Sequence, residues 1–297
     1  MLTQPASWAL AGGRTLPLDR ARLIAIINVT PDSFSDGGEA LDPRAAADRA
    51  AQAVAEGADM LDLGGESTRP GAARVDEAEQ LRRVIPAIAA IRAAGVAAPI
   101  SVDTTRAAVA RAALDAGADA INDVSAGLED PAMLPLAAER GAGIILMHRA
   151  APPPRDRYSD RHATEPHFEG GVVQAVRACL HERAGAAQRA GVAPEAIVVD
   201  PGLGFGKSVS QNFELIARIG EACPDGFAVL SAASRKSFIG AAVGKTEPRE
   251  RVEGSVAVTV AHRLAGVRLF RIHDVAAHAQ ALRTAEAILG AGVRGAR

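Results

Sequence analysis

The chain has 297 residues, 48% of them hydrophobic, with 33 Lys and Arg against 35 Asp and Glu and a formal net charge of −2. That balance, with a sequence pI of about 6.4, argues against a nucleic-acid or membrane-surface protein, and no apolar stretch reaches the ~18 residues of a membrane span. The first residues lack the basic start and apolar core of a secretory signal, so a cytoplasmic protein is expected. Aromatic residues make up only 3%, which predicts slim, closely packed helices, and the two cysteines, Cys179 and Cys223, share no metal spacing and are expected as free thiols.

In chain order, residues 1–20 carry Gly12-Gly13-Arg14 between short apolar stretches and predict an N-terminal hairpin. Eight apolar runs follow, each ending at a polar, glycine or charged cluster. Residues 23–27 meet Asn28, 60–63 meet Gly64-Gly65-Glu66, 99–102 stop at Asp103, and 120–121 stop at Asn122-Asp123. Residues 144–147 meet His148, 197–199 meet Asp200, 227–230 lead to Ser234-Arg235-Lys236, and 267–272 lead to His273-Asp274. Between the runs lie helical patterns. Asp42-Pro43 and Asp130-Pro131 each set a capping residue before a proline suited to a first helical turn. Asp76 with Glu79 resembles a capping box ahead of a stripe formed by Leu81, Val84, Ile85, Ile88 and Ile91, and Pro86 is expected to kink that helix. Gly57, Gly117, Gly141 and Gly266 each stand where a helix must end and a strand begin.

This alternation predicts an α/β fold: a single (β/α)8 TIM barrel over residues 21–292, preceded by the hairpin of residues 1–20 as a cover for the barrel floor, and carrying long loops at 29–41 and 149–168 on its active face. The second of these loops, with Pro152-Pro153-Pro154, is expected to be irregular and exposed. An open doubly wound sheet is the rival, and eight units favour closure. In such a barrel the strand ends form one pocket.

Asp103, Asn122 and Asp200 suit a flat heterocycle rich in N–H donors. Any one of them could simply cap the next helix; three at one face favour a ligand. Arg69, Lys236, Arg271 and His273 are cations or cation-capable groups at the same mouth, where loops near the last two strands often hold phosphate. The run Pro201-Gly202-Leu203-Gly204-Phe205-Gly206-Lys207-Ser208 fits neither a P-loop, which needs glycine at 201, nor a dinucleotide fingerprint, which needs it at 207. Phe205 offers a ring face for stacking. The oxygen-rich loop after Asn28 could hold a hard cation such as Mg²⁺.

Taken together, residues 28–38, Gly64-Gly65-Glu66-Ser67-Thr68-Arg69-Pro70-Gly71, Ser101-Val102-Asp103-Thr104, Asn122-Asp123-Val124-Ser125, 200–207, 234–240 and Arg271-Ile272-His273-Asp274-Val275 resemble, in order, the signatures of dihydropteroate synthases. The resemblance implies a transferase of folate biosynthesis that joins 6-hydroxymethyl-7,8-dihydropterin diphosphate to p-aminobenzoate, with Mg²⁺, in a cytoplasmic homodimer, and that sulfonamides would compete with p-aminobenzoate. It implies that Asp103, Asn122, Asp200 and Lys236 hold the pterin, with Met147 and Phe205 also on the substrate, and that Asn28 binds Mg²⁺ and diphosphate. Arg271 and His273 would be anion ligands. Thr68 and Arg69 would come from a second mobile loop, Ser234, Phe34 and Pro70 would form the p-aminobenzoate site, and Asp36 would organise the closed first loop. Arg149 and Ala232 depart from the family's usual residues. A methyltetrahydrofolate:corrinoid methyltransferase would share the polar ends at Asp103, Asn122 and Asp200 but would not need the 67–70 loop or Ser234-Arg235-Lys236. A non-catalytic pterin-binding paralogue should have lost loop residues that are present here.

Overall fold

The computed structural model describes residues 2–29 and 42–294, with side chains to residue 291. Strands β1 (Ser7–Ala9) and β2 (Thr15–Pro17) pair antiparallel as a hairpin, with Trp8 opposite Leu16. The next eight strands are β3 (Arg22–Asn28), β4 (Met60–Gly64), β5 (Ile100–Asp103), β6 (Ala120–Asp123), β7 (Gly143–Met147), β8 (Ile197–Asp200), β9 (Ala228–Ser231) and β10 (Leu269–Ile272). They run parallel in sequence order and close when β10 pairs with β3, Leu269 opposite Arg22. Helices α1 (Pro43–Glu56), α2 (Glu77–Ala93), α3 (Ala107–Asp115), α4 (Met133–Arg140) and α5 (Val172–Arg189) lie in the connections of the first half. In the second half lie α6 (Val209–Ala217), α7 (Ile219–Ala222), α8 (Ser237–Val243), α9 (Val252–Leu264) and α10 (Val275–Arg294). The result is a (β/α)8 TIM barrel.

Side chains alternate along a strand with period two, so each barrel strand sends one set inward. The lower inward set is apolar: Ile24, Met60, Ala120, Ile145, Val198 and Leu269 are buried in one cluster with Trp8, Leu10, Leu16 and Leu18. The hairpin therefore plugs the floor. Trp8 Nε1 donates to Ala196 O at 2.9 Å and the Ala11 N–H to Asp119 O at 2.9 Å, both acceptors just before strands begin. Two residues up each strand the same inward positions become Asp62, Asn122, Met147, Asp200 and Arg271. The outward faces pack on helices kept slim by alanine, as Ala46, Ala50 and Ala53 of α1 show.

Local signals decide the boundaries. Asp42 caps α1 through the Arg44 N–H, with Pro43 in the first turn, and Gly57 ends the helix at φ 113°, a left-handed conformation that glycine takes without strain. Helix α2 runs through Pro86 as one continuous helix. Three expectations need correction. Asp76 caps α2 through the Glu79 N–H, but the Glu79 side chain turns to Arg82 and Arg83 in place of closing a capping box. Asp130 does not cap α4, which starts at Met133; its carboxylate accepts from the Ala107 N–H at the start of α3 and from the Ala132 N–H. The 149–168 connection holds two short 3-10 turns, Pro153–Arg155 and Ser159–Arg161, and buries Pro153, Asp156 and Ser159; the Ser159 N–H donates to Ser237 Oγ of α8 and its Oγ accepts from Asn212 Nδ2 of α6. Cys179 and Cys223 are free thiols.

Candidate active site

The upper inward layer builds one ion cluster across the barrel. Arg271 Nε donates to Asp62 Oδ2 at 2.6 Å and Arg271 Nη2 to Asp103 Oδ2 at 2.9 Å. Asn122 Nδ2 donates to the same Asp62 oxygen at 3.1 Å, and Ser101 Oγ to Asp62 Oδ1 at 2.5 Å. Four strands, β4, β5, β6 and β10, thus converge on a pair of carboxylates sharing one guanidinium. Asp62 is fully buried and Asp103 is 5% exposed. Burial pushes Asp103 up to about 7, against the pull of Arg271 and with help from the negative charges of Asp62, Glu66 and Asp123. Burial opposes charge on Arg271 as well, but its carboxylate neighbours win and raise it. Two carboxylates sharing one guanidinium suit a cationic or N–H-rich ring.

On the opposite wall, burial raises Asp200 against the nearby charge of Lys236. Its Oδ1 accepts from the Gly202 N–H at 2.7 Å. Gly202, at φ 66°, has no room for a side chain, since a Cβ there would lie 1.8 Å from His148 O. Lys236 donates to Leu203 O, and its Nζ lies 4.5 Å from the Phe205 ring centroid, a cation–π contact. The Phe205 face expected to be open for stacking is therefore partly taken by an ammonium. Burial brings Lys236 down to about 8, with Asp200 resisting. Phe205, Met147 and Val124 form a small buried apolar patch beside it. Behind them Lys207 is fully buried, donating to Gly202 O at 2.8 Å, Phe205 O at 3.0 Å and His148 O at 3.4 Å. Burial and the neighbouring Lys236 push it down to about 7. It staples the loop after β8 to the one after β7.

A third corner joins β9 and β10. Ser234 Oγ lies 3.1 Å from His273 Nδ1 and accepts the His273 backbone N–H at 3.2 Å. Burial, with Arg235 and Arg271 nearby, lowers His273 to about 3, so the ring is neutral near pH 7. Between Ser234 and Lys236, Arg235 takes φ 60°, unusual for a residue with a side chain. Ser255 Oγ accepts its N–H at 2.9 Å, Arg251 Nη1 donates to its carbonyl at 2.9 Å, and its guanidinium pairs with Asp274. These contacts hold the strained residue.

Of the other expected residues, Asn28 ends β3 half-buried, opposite Gly64 in the sheet. Thr68 and Pro70 are half-buried and Arg69 is exposed on the connection after β4. Phe34 and Asp36 lie outside the described residues. Sequence reasoning missed Asp62, Ser101 and Lys207. Asp62 lay inside an apolar run; its place two residues after Met60 was the signal that it shares the inward face. Among the described residues no group of three or more His, Cys, Asp or Glu side chains is placed to hold a metal ion.

Comparison with known proteins gives the family. The model of the pterin binding enzyme family matches residues 24–273. The dihydropteroate synthase of Mycobacterium leprae is 43% identical over 93% of this chain and 96% of its own. A solved dihydropteroate synthase of Xanthomonas albilineans with 4-aminobenzoic acid superposes with a TM-score of 0.86 at 44% identity, covering 95% of this chain and 98% of that one. The same protein in complex with 7,8-dihydropteroate gives 0.82 at 41%, with the same coverage. The chain belongs to the pterin-binding enzyme family. Within that family it is a dihydropteroate synthase.

Proposed function

We propose that the charged layer of the barrel is where 6-hydroxymethyl-7,8-dihydropterin diphosphate and p-aminobenzoate are joined to 7,8-dihydropteroate. The observation that carries this reading is the buried Asp62–Arg271–Asp103 cluster with Asn122 at its side. Asp103, Asn122, Asp200 and Lys236 offer acceptors and donors to the pterin ring, with Met147 and Phe205 as its apolar wall. As the methylene–oxygen bond to diphosphate breaks, positive charge spreads into the ring, and Asp103 and Asp200 stabilise it from fixed positions. Arg271, with 17% of its side chain exposed, faces the departing anion. His273 assists as a neutral donor in the tautomer whose Nδ1 accepts from the Ser234 hydroxyl and whose ring proton is on Nε2. The aromatic amine then bonds to the methylene carbon and gives up a proton, so no side-chain nucleophile is needed.

Mg²⁺ keeps most of its water and binds through few protein oxygens plus substrate phosphate. The single amide oxygen of Asn28, on the same mouth as Arg271, fits such an ion, which when bound would neutralise diphosphate charge. Ser234, Phe34 and Pro70 are read as the p-aminobenzoate site, Thr68 and Arg69 as substrate contacts from the same loop as Pro70, and Asp36 as an organiser of the first loop. We further infer a cytoplasmic homodimer, which light scattering on the purified protein would test. Among the described residues no helix is long and apolar enough to cross a membrane.

The reading is tested by diphosphate release from purified protein given the dihydropterin diphosphate and Mg²⁺, with and without p-aminobenzoate, together with detection of dihydropteroate. Product that needs both substrates and the metal supports it. Pterin binding without product would point to a non-catalytic paralogue.

A further inference from the structure

At the rim above the pocket, connections from four strands meet on one carboxylate. Glu129 Oε2 accepts from Arg74 Nη2 at 2.5 Å and from Thr105 Oγ1 at 2.6 Å, while Oε1 accepts from Arg149. Arg74 also pairs with Glu66, Nε to Oε1 at 3.2 Å. Glu66 and Arg74 follow β4, Thr105 follows β5, Glu129 follows β6 and Arg149 follows β7. The two acidic and two basic side chains balance in charge.

Glu129 stands on a turn that is tightly determined. Asp123 accepts from the Ser125 N–H, the Ser125 hydroxyl and the Gly127 N–H, each at 2.7 Å. Ala126 is held at φ 54°, and Arg183 Nε of α5 donates to its carbonyl at 2.8 Å. Ser125 Oγ accepts the Glu129 N–H at 3.2 Å. A left-handed residue with a side chain persists only where its surroundings over-determine it, so this turn is a fixed post.

The segment that reaches the post is the one bearing Thr68, Arg69 and Pro70. Its feet are tied: Glu66 Oε1 accepts the Val75 N–H at 3.1 Å, Glu66 Oε2 accepts from Gln80 at 2.9 Å, and the Gly71 N–H donates to Pro153 O at 2.8 Å. Its tip leaves Arg69 exposed. Arg149 is the cation that departs from the family pattern. Its side chain is only 9% exposed, and its Nη1 is buried without a hydrogen-bond partner. A guanidinium kept so far from water is held by its carboxylate, and without it Glu129 would draw on Arg74 and Thr105 alone and loosen the Arg74–Glu66 link.

We propose that Glu129, locked by its turn and by Arg149, is a positioning residue that sets the frame of the Thr68–Pro70 loop and, through it, the affinity for the aromatic acid that condenses with the pterin. The kinetic half of this inference rests on assigning that loop to p-aminobenzoate.

The test uses Glu129→Gln, which keeps an acceptor for Thr105 and removes the charge. Hydrogen exchange of the full protein, read at peptides spanning residues 65–76, reports the loop's feet through the Gly71 and Val75 amides, and steady-state kinetics gives KM for each substrate. Exchange in 65–76 is expected to rise about fivefold or more, with barrel-strand peptides unchanged. KM for p-aminobenzoate is expected to rise about fivefold, with KM for the dihydropterin diphosphate within about twofold, as suits a partly exposed ion pair. Arg149→Met should act in the same direction and Arg149→Lys should recover part of the loss. If Glu129→Gln loosens the whole barrel, Arg149→Met decides on the same readouts. Unchanged exchange in 65–76 overturns the inference. A KM for p-aminobenzoate that rises in Arg69→Ala but not in Glu129→Gln overturns it too. Faster loop exchange with that KM unmoved in both variants supports the frame and removes the loop's assignment to p-aminobenzoate.

Discussion

The two ends of the barrel interior are built by the same strands, often two residues apart, and do opposite things. At the floor, Ile24, Met60, Ala120, Ile145, Val198 and Leu269 close on Trp8 and its hairpin neighbours, all buried. One inward step higher, Asp62, Asn122 and Asp200 bury ionic and amide groups in nearly as little water, beside the partly exposed Arg271. The lower layer gains stability from apolar area removed from water. The upper layer pays desolvation and recovers only part of it through the Arg271 pairs, which is why Asp103 and Lys236 are both displaced from their ordinary values. One sheet thus separates the work of holding together from the work of binding.

Substitutions at the two ends should separate in the same way. Trp8→Ala should cost about 3–5 kcal/mol of stability, as expected for a large aromatic lost from a packed core, while leaving KM of the remaining folded enzyme unchanged; denaturant unfolding with kinetics below the transition checks both. Asp103→Asn should invert that result, cutting kcat/KM by about 10²–10³-fold, the usual effect of removing one preorganised electrostatic group, with little change in melting temperature. An Asp103→Asn enzyme with undiminished turnover would remove the carboxylate from the mechanism.

The pH profile sharpens the comparison. If the Asp103 carboxylate is the working form, kcat/KM for the pterin substrate should rise through about pH 7 and fall above about 8 as Lys236 loses its proton. Asp62 is a negative neighbour that helps hold Asp103 high, so Asp62→Asn should move the acid limb to lower pH, by roughly one unit or about 1.4 kcal/mol. A limb moving upward would contradict the assignment. The smallest effect belongs outside both layers. Ser208 and Gln211 form the reciprocal capping box of α6, and Ser208→Ala should cost about 1 kcal/mol of stability with substrate KM values unaltered.

The barrel was legible because each strand is an apolar run with a polar stop, and because glycines mark the helix-to-strand junctions; Gly57 and Gly141 indeed close α1 and α4 in the left-handed conformation. The polar strand-end residues Asp103, Asn122 and Asp200 were visible for the same reason. Asp62 was not, since counting apolar residues hides one carboxylate among them, and only the period-two alternation exposes it. Lys207 was noticed as a failed phosphate-loop lysine; its three carbonyl partners depend on how two loops meet, which no local pattern encodes. Pro86 shows the converse, a helix breaker absorbed by α2, with Val84, Ala87, Ile88 and Ile91 buried on either side of it. Arg149 stood out only as a departure, and its partner Glu129 lies 20 residues away.

The plugged floor has one more consequence. With Trp8, Leu10 and Leu18 packed into the lower end, the barrel interior is closed on that side among the described residues. If Asp103 and Asp200 hold the pterin ring as proposed, the ring enters through the mouth at the strand ends and, once joined to the amine, leaves the same way. Entry and exit then share one mouth, because the hairpin, on the far side of the barrel from the strand ends, closes the other door.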